Sequence, residues 1–477
     1  METVTTNKGW FWKSAKVEVR ELDGRERGQR LRRAKERLRK LKLLANPNPN
    51  DPHELDAHPI VRAYFAGRLV QTAPEAARTA HDILYRHYAA AAPDLPDTLE
   101  KMQPLFHAVQ HGLRAGKVEE VFYDIYIRRI RRGADSHLGQ GLGAYGAFLT
   151  VVSQFFRKPW LELNPELSKR IQAYMLTEAS YALRAVGRLK QSIPPREAAL
   201  LMLREDGDYE ACANVGEMLS LSLLSIGEVG RAVETAAHAV DDAKSSGDTF
   251  RMECSLRIQA NALLCANELV LSRKLFKQAE ESAGLPLISL RGYQFGDLLL
   301  ELGEVDEAVR RGEYHLQRAE AATGEAFSLN DIALAWLLLA RSKDSLGHTD
   351  AERATNCAVE SFREAGREDY LPLALLTRAA HRRRRSAAGE TDLIDGILTD
   401  LAEVENIAGE EMRLYLTDLA LERARLALDV PTAFASPEAA RAEAETQTAL
   451  AATLITETGY YRRDGELAEL HVRLKHA

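Results

Sequence analysis

Gly141 to Gly146 spell GLGAYG, a letter-for-letter match to the dinucleotide fingerprint G-x-G-x-x-G. In that chemistry the glycines let a loop approach a pyrophosphate, a preceding strand aims the loop, and an acidic residue further on holds the ribose. The run before it, RRIRRGADSHLGQ, is polar and turn-like, and no β-α-β pattern surrounds it. The stretch therefore reads as a glycine-eased helix packed closely on a neighbour. GLRAGK, Gly112 to Lys117, falls one residue short of a phosphate loop and lacks its Ser or Thr. Without that cradle of backbone N–H groups the chain is not an ATPase by itself.

His107 and His111 in FHAVQH are spaced i and i+4, so one helix face carries both. A zinc protease site would add a Glu directly after the first His and a third ligand. Residue 108 is Ala, and the pair reads as partly buried histidines with satisfied nitrogens. No G-x-S-x-G elbow presents a serine nucleophile. The four cysteines, Cys212, Cys254, Cys265 and Cys357, form no C-x-x-C pair. Free thiols in a reducing cytosol follow, with neither a disulfide framework nor a zinc site. We expect a non-enzymatic protein with no cofactor and no metal.

Two basic runs remain. Arg25 to Lys42 carries ten Lys/Arg against two Glu, enough to attract phosphate backbones, but it lacks the interleaved aromatics that stack on bases. It reads first as an exposed helix whose Leu31, Leu38 and Leu41 face a partner surface. His381 to Arg385 (HRRRR) closes a helix, where cations favour the C-terminal dipole. The whole chain has a net charge of −7, so no basic excess demands nucleic acid.

The elements that must position these residues are helices. Apolar residues recur at helical spacing throughout the 477 residues, and Leu, Ala, Glu and Arg dominate from about Pro74 onward. Only the first twenty residues, with WFW and KVEVREL, suggest a strand or hairpin. The opening METVTTNKGWFWKSAK has no continuous apolar run, which argues against a secretory leader. The longest apolar stretches, such as IALAWLLLA at Ile332 to Ala340, are about half a membrane span. A cytoplasmic location is the expectation.

A repeat runs through the helices. Small or turn residues between amphipathic segments fall at Gly187, Gly227, Asn267, Gly303 and Gly347, at steps of 40, 40, 36 and 44, with a degenerate sixth at Gly389. Gly and Asn are the residues that best tolerate a left-handed turn. Leu219, Leu223 and Ile226 line one face before Gly227; Val229, Ala232, Val233 and Ala239 follow it. One helical hairpin cannot bury such a face alone, so neighbours must stack into a solenoid. Upstream, residues 97–133 read as one more hairpin turning at Gly116, and Ala134 to Asn164 breaks the period.

On the Gly-Glu-Val-x-x-Ala turn at Gly227 to Ala232 and the Gly-Glu-Val-Asp-Glu-Ala turn at Gly303 to Ala308, the array resembles the tetratricopeptide repeat. Gly296 falls where that repeat wants a small residue, seven before its turn. The units are longer than that repeat's usual length of about 34 residues, and the closing prolines are missing. The resemblance implies an all-α, right-handed superhelical solenoid of stacked hairpins whose first helices line a concave groove. Counting three, six or ten back from each turn gives the groove-facing candidates Tyr181, Arg184, Arg257, Asn261, Tyr293, Asp297 and Arg341.

LDAHPIVRAYF, Leu55 to Phe65, follows a Pro/Asn-rich turn and begins a helix near Pro59, with Ile60, Val61, Tyr64 and Phe65 as its buried face. It also resembles the end of the winged helix in signal-transduction ATPases with numerous domains, the NB-ARC and NACHT-like switches. By that match His58 stands where a nucleotide-sensing His sits, although Ala57 and Pro59 replace the flanking Met and Asp. PDTLEKMQPLFHAVQHG, GAYGAFLTVVSQFF and LPLALLTRAAHRR extend the resemblance over roughly Leu38 to the C-terminus. The chain then looks like the sensor half of such a switch without its motor: a truncated remnant, a partner to a separately encoded ATPase, or a stand-alone repeat adaptor.

Three regions are expected: an N-terminal segment over 1–70, helical hairpins over 71–170, and the repeat array over 171–477. The function implied is a scaffold or sensor that binds a peptide or protein in the groove, in bacterial signalling or defence, with a separately encoded ATPase or effector as a further partner and no membrane partner. The alternative is a nucleic-acid-associated regulator using residues 25–42.

Overall fold

The computed structural model describes residues 2–4, 18–20, 24–47, 55–133, 136–160, 162–321, 329–348, 350–366 and 369–476. It divides into two units, Met1–Leu167 and Ser168–Ala477.

In the first unit β1 (Glu2–Val4) pairs antiparallel with β2 (Glu18–Arg20); the WFW expected nearby lies outside the described residues. The basic run forms α1 (Gly24–Lys40), none of whose residues is buried. Then come α2 (Pro59–Thr72), α3 (Pro74–Ala91) and α4 (Leu99–Arg114). The short α5 (Val118–Glu120) runs on into a π-helical stretch, Val121–Arg131. Arg129, on that stretch, donates to the carbonyls of Ala89 (2.9 Å), Ala92 (3.0 Å), Pro93 (2.8 Å) and Asp94 (3.1 Å). Ala89 and Ala92 are acceptors that the end of α3 leaves without helical partners, and Pro93 and Asp94 belong to the chain leaving it, so one buried guanidinium both closes that helix and holds its exit. The broken period after residue 133 becomes a π-helical turn, His137–Gly141, then α6 (Tyr145–Ser153) and a small hairpin of β3 (Phe156–Lys158) and β4 (Glu162–Leu163).

The second unit consists of paired helices. They are α7 (Lys169–Ala185) with α8 (Leu189–Asp206), α9 (Tyr209–Ser225) with α10 (Val229–Ser246), and α11 (Thr249–Cys265) with α12 (Leu269–Ala283). Next are α13 (Ser289–Glu301) with α14 (Val305–Ala321), α15 (Leu329–Ser345) with α16 (Ala351–Glu364), and α17 (Leu371–Ala387) with α18 (Ile394–Ala408). A last pair, α19 (Arg413–Asp429) and α20 (Pro437–Thr458), is followed by α21 (Asp464–His476).

All six turn residues read from the sequence adopt positive φ: 77° at Gly187, 82° at Gly227, 68° at Asn267, 74° at Gly303, 67° at Gly347 and 116° at Gly389. A second ladder of positive-φ glycines, Gly207, Gly247, Gly284, Gly366 and Gly409, follows the second helices α8, α10, α12, α16 and α18, and Gly459 closes α20. Each hairpin is narrow for a reason visible at two registers. Seven residues before the turn stand Ser180, Ser220, Ala260, Gly296 and Ala340; five after it stand Ser192, Ala232, Ser272 and Ala308, and all are buried. Small side chains let the helix axes approach, and the serines add cross-links. Ser180 and Ser220 donate to the carbonyls of Ser192 (2.7 Å) and Ala232 (2.8 Å), while Ser272 donates back to Ala260 (2.7 Å).

Neighbouring hairpins are joined by arginine–carboxylate pairs roughly one repeat apart, such as Arg251–Glu217 (3.3 Å), Arg291–Glu253 (2.7 Å) and Arg311–Glu280 (2.6 Å). A continuous apolar core runs beneath them from Ala260 through Phe276, Phe295, Leu338, Phe362 and Leu401 to Val430. The array also meets itself. Helix α19 touches α9, the backbone N–H of Lys190 donates to Glu411 Oε2 at 3.1 Å, and the Tyr415 hydroxyl donates to the carbonyl of Asp369 at 2.8 Å. At Gly227 a Cβ would lie 2.7 Å from Thr458 Cγ2 and 2.9 Å from Arg413 Cβ, so this turn needs glycine for space as well as for φ. The last hairpin is thus folded back against the turns of the first two.

A Cβ on Gly296 would fall 2.5 Å from Leu338 Cδ2, inside the buried seam between α13 and α15. Gly296→Val is expected to destabilise the array by ~1–3 kcal/mol through overpacking, read as a lower urea midpoint by circular dichroism. An unchanged midpoint would mean that Leu338 has room to move.

Candidate functional site

The first helices of successive pairs present one face to the interior of the array, and polar side chains collect there. On α13, Asp297 is 8 % exposed. Its carboxylate accepts a two-pronged bond from Arg462, Nη1 to Oδ2 at 2.6 Å and Nη2 to Oδ1 at 2.7 Å, across 165 positions of sequence. The planar guanidinium suits that fork in a way a lysine could not. Arg462 Nε reaches Glu301 Oε1 at 2.7 Å. From α15, Arg341 pairs with Asp297 and donates to the Tyr293 hydroxyl at 2.9 Å. The next residue, Arg463, donates to Asp418 Oδ1 (2.7 Å) and Glu466 Oε1 (2.6 Å) and lies over the Tyr460 ring. Helix α21 is fastened by Arg425 to Glu466 and by Arg473 to Asp429.

Burial and charge pull in opposite directions here. Burial alone would raise the Asp297 carboxyl, but Arg341 and Arg462 overcome it and hold that group well below the usual carboxylate range. Glu466 behaves alike: burial opposes ionisation, Arg463 and Arg425 favour it, and the result is about 2. Burial pushes the Tyr293 phenol up to about 12 and the Cys265 thiol, on the same inner side, up to about 12. A thiol so protonated is a packing group rather than a nucleophile.

Tyr293, Asp297 and Arg341 are therefore brought together. Arg257 is also buried, donating to Gln294 Oε1 at 2.8 Å, and among the described residues nothing accepts from its Nε. Arg184 is half-buried and faces Asp369 at 3.8 Å; Tyr181 and Asn261 are half-buried on α7 and α11. The groove expected to stand open is, at Asp297, occupied by the chain's own Tyr460–Arg463 turn. Sequence reading missed Arg462, Arg463, Asp418 and Glu301. The available signal was YYRRDG at 460–465, a double arginine directly after the left-handed Gly459.

Other candidates resolve into structure. The exposed His58 caps α2, its Nδ1 accepting from the Ile60 N–H at 3.3 Å. Ile60, Tyr64 and Phe65, expected to be buried, are exposed and Val61 is half-buried, because among the described residues α2 lies mainly along α3 alone. His111 meets His81, which sequence reading did not single out, with Nδ1 to Nδ1 at 2.9 Å, and both His107 and His111 lie against Tyr88. Burial first, then His81 and nearby cations, lowers His111 to about 4. No group of His, Cys, Asp and Glu among the described residues is arranged to hold a metal ion. GLGAYG spans a π-helical turn and the start of α6. In HRRRR every side chain meets a carboxylate outside the run: His381, which burial lowers from its ordinary value, and Arg384 with Asp344, Arg382 with Asp400 (3.0 Å), Arg383 with Glu422 (2.6 Å) and Arg385 with Glu390 (2.9 Å). Helix-to-helix pairing, more than the helix dipole, explains that run. Among the described residues no helix is long and apolar enough to cross a membrane.

The chain is similar to solved helical-repeat structures. One is the Rap conjugation gene regulator of the plasmid pLS20 in complex with the Phr* peptide: 12% identity, 80% of this chain and 98% of that one covered, TM-score 0.48. Another is a signal transduction ATPase with numerous domains carrying a tetratricopeptide repeat sensor, from Pyrococcus horikoshii: 12% identity, 88% and 58% covered, TM-score 0.39. A third is a Rap protein complexed with competence and sporulation factor: 13% identity, 87% and 96% covered, TM-score 0.36. No protein-family model and no curated protein matches the chain.

The acid behaviour of the array follows from the lowered carboxyls. A group whose folded value lies below its unfolded one contributes stability above the unfolded value and loses it as pH falls toward the folded one. For Glu466 that window runs from 4.5 down to about 2, and Asp297 acts in the same direction. The melting temperature should begin to fall below about pH 6.5, where His315 and His381, both held lower by burial, must charge, and fall further through the carboxyl window. Asp297→Asn should melt lower at neutral pH, because Arg462 loses its fork, and show a shallower acid slope; parallel slopes would remove Asp297 from the acid transition.

Proposed function

We propose that this chain is a non-enzymatic binding scaffold that takes up a peptide or protein segment on the inner face of its stacked first helices. The observation that carries the reading is the seating of Tyr460–Arg463 on Asp297, Glu301 and Asp418. A face that specifies a short 3-10 turn by a forked carboxylate, two further carboxylates and flanking tyrosines has the chemistry needed to recognise a segment of protein. The half-buried Tyr181, Arg184 and Asn261, together with the buried Arg257, continue that face toward α7. A role in bacterial signalling or defence, a cytoplasmic setting, and a separately encoded ATPase or effector as partner are supported by the sequence resemblance at residues 55–65 and beyond.

A second reading, association with nucleic acid through residues 25–42, is supported by the lack of any buried residue on α1. Retention on DNA that disappears at modest salt, with no sequence preference, would reduce it to counterion release.

The main reading is tested by capture from the native cell with wild-type chain and with Tyr181→Ala/Asn261→Ala, two half-buried positions whose loss should spare the core. A protein held by wild type and lost from the variant is the expected result. Equal capture by both would move the working surface elsewhere, and turnover of nucleotide or ester by the purified chain would refute the non-enzymatic assignment.

A further inference from the structure

Asp297, Glu301 and Asp418 place three carboxylates against two consecutive arginines, and the arginines arrive on a short turn rather than on one of the stacked first helices. That turn, Tyr461–Arg463, is a single stretch of 3-10 helix between the left-handed Gly459 and α21. Burying two guanidiniums carries a large desolvation penalty, and apolar side chains of similar volume often stabilise a core as well or better. What the ionic solution adds is selectivity for one occupant over another. The apolar support beneath α21 is small and rich in alanine: Ala420, Leu421, Ala424, Ala451 and Leu470, with Leu428 and Leu467 partly buried beside them. The contacts of α21 with α19 are otherwise ionic, through Glu466 and Asp429.

We infer that Tyr460–Arg463 is an internal occupant of the binding face, and that the external partner it excludes is a protein segment presenting an aromatic residue followed closely by two consecutive arginines. The inference rests on the reading of the inner face as a binding surface and adds the chemistry of its ligand. With the turn lifted, Asp297, Glu301 and Asp418 face the interior against Arg341, a net acidic floor walled by Tyr293 and Tyr415. A dibasic segment restores the fork on Asp297 and the second pair on Asp418. A lysine pair fills the charge but not the fork. An acidic segment meets repulsion. The tethered turn competes at an effective concentration on the order of millimolar, so the resting protein is closed to weak dibasic ligands and opens to those that also hold the flanking face.

The probe is a fluorescent synthetic peptide of residues 456–468 (TETGYYRRDGELA), offered to the full chain and to the full-length Arg462→Ala/Arg463→Ala variant, each first shown to be folded by circular dichroism. Removing the internal competitor should tighten peptide binding by about tenfold or more. The same peptide with alanine at both arginine positions should fail to bind, and adding Asp297→Asn to the variant should abolish the gain. Equal affinity for wild type and a folded variant, or no binding to the folded variant, overturns the inference.

Should the variant not fold, hydrogen exchange on wild type decides. Saturating peptide must speed exchange of the amides of residues 460–476, and unchanged protection overturns the displacement. If cellular capture succeeds through Tyr181 and Asn261 while 460–476 stays protected, the scaffold reading survives and this inference alone falls.

Discussion

The fork between Arg462 and Asp297 is the constraint on which the second unit depends. Each group alone would be a charge stranded in a low-dielectric interior, and removing one partner of such a pair commonly costs about 3–5 kcal/mol. The surrounding geometry follows from meeting that requirement. Glu301 takes Arg462 Nε, Arg341 shares Asp297 and is itself tied to Tyr293, and Asp418 and Glu466 divide Arg463 between them. With Arg425 also on Glu466, four carboxylates meet four arginines, and four helices and one turn are fixed by who neutralises whom. Apolar packing sets how close the helices come; the ions set which segment lies inside.

The hairpins themselves were readable from the sequence because their determinants are local. A left-handed turn needs Gly or Asn, and a narrow hairpin needs small residues at fixed distances either side of it. Gly187 through Gly389 satisfy the first condition, and Ser180, Ser220, Ala260, Gly296 and Ala340 the second. The companion glycines at 207, 247, 284, 366 and 409 are just as local, but they stand between hairpins, where no Gly-Glu-Val-type turn marks them. The last hairpin was lost for a different reason. Its turn at 430–436 carries Pro431 and no glycine, and its second helix, opening on Pro437 and running to Thr458, is longer than any other described in the array.

The ionic cluster was only half readable. Repeat geometry singled out Tyr293, Asp297 and Arg341, and the three are in contact. Nothing within a few residues of Asp297 announces that its partner lies at 462, because long-range pairing leaves no periodic trace. The same limit hid His81 behind His111 and the capping of α3 by Arg129. Residues of these kinds, charged and few, are where a chain's tertiary structure is decided by identity rather than by pattern.

Stacked repeats are quasi-one-dimensional: each unit touches its neighbours, and the ends are strangers. Here the contacts of Lys190 with Glu411 and of Asp297 with Arg462 join distant units. Synthesis gives that closure a timetable. At ribosomal speeds the 165 positions between Asp297 and Arg462 take roughly ten to thirty seconds to make. Through that interval Asp297 and Glu301 stand without Arg462, and Asp418 is itself made only in its later part.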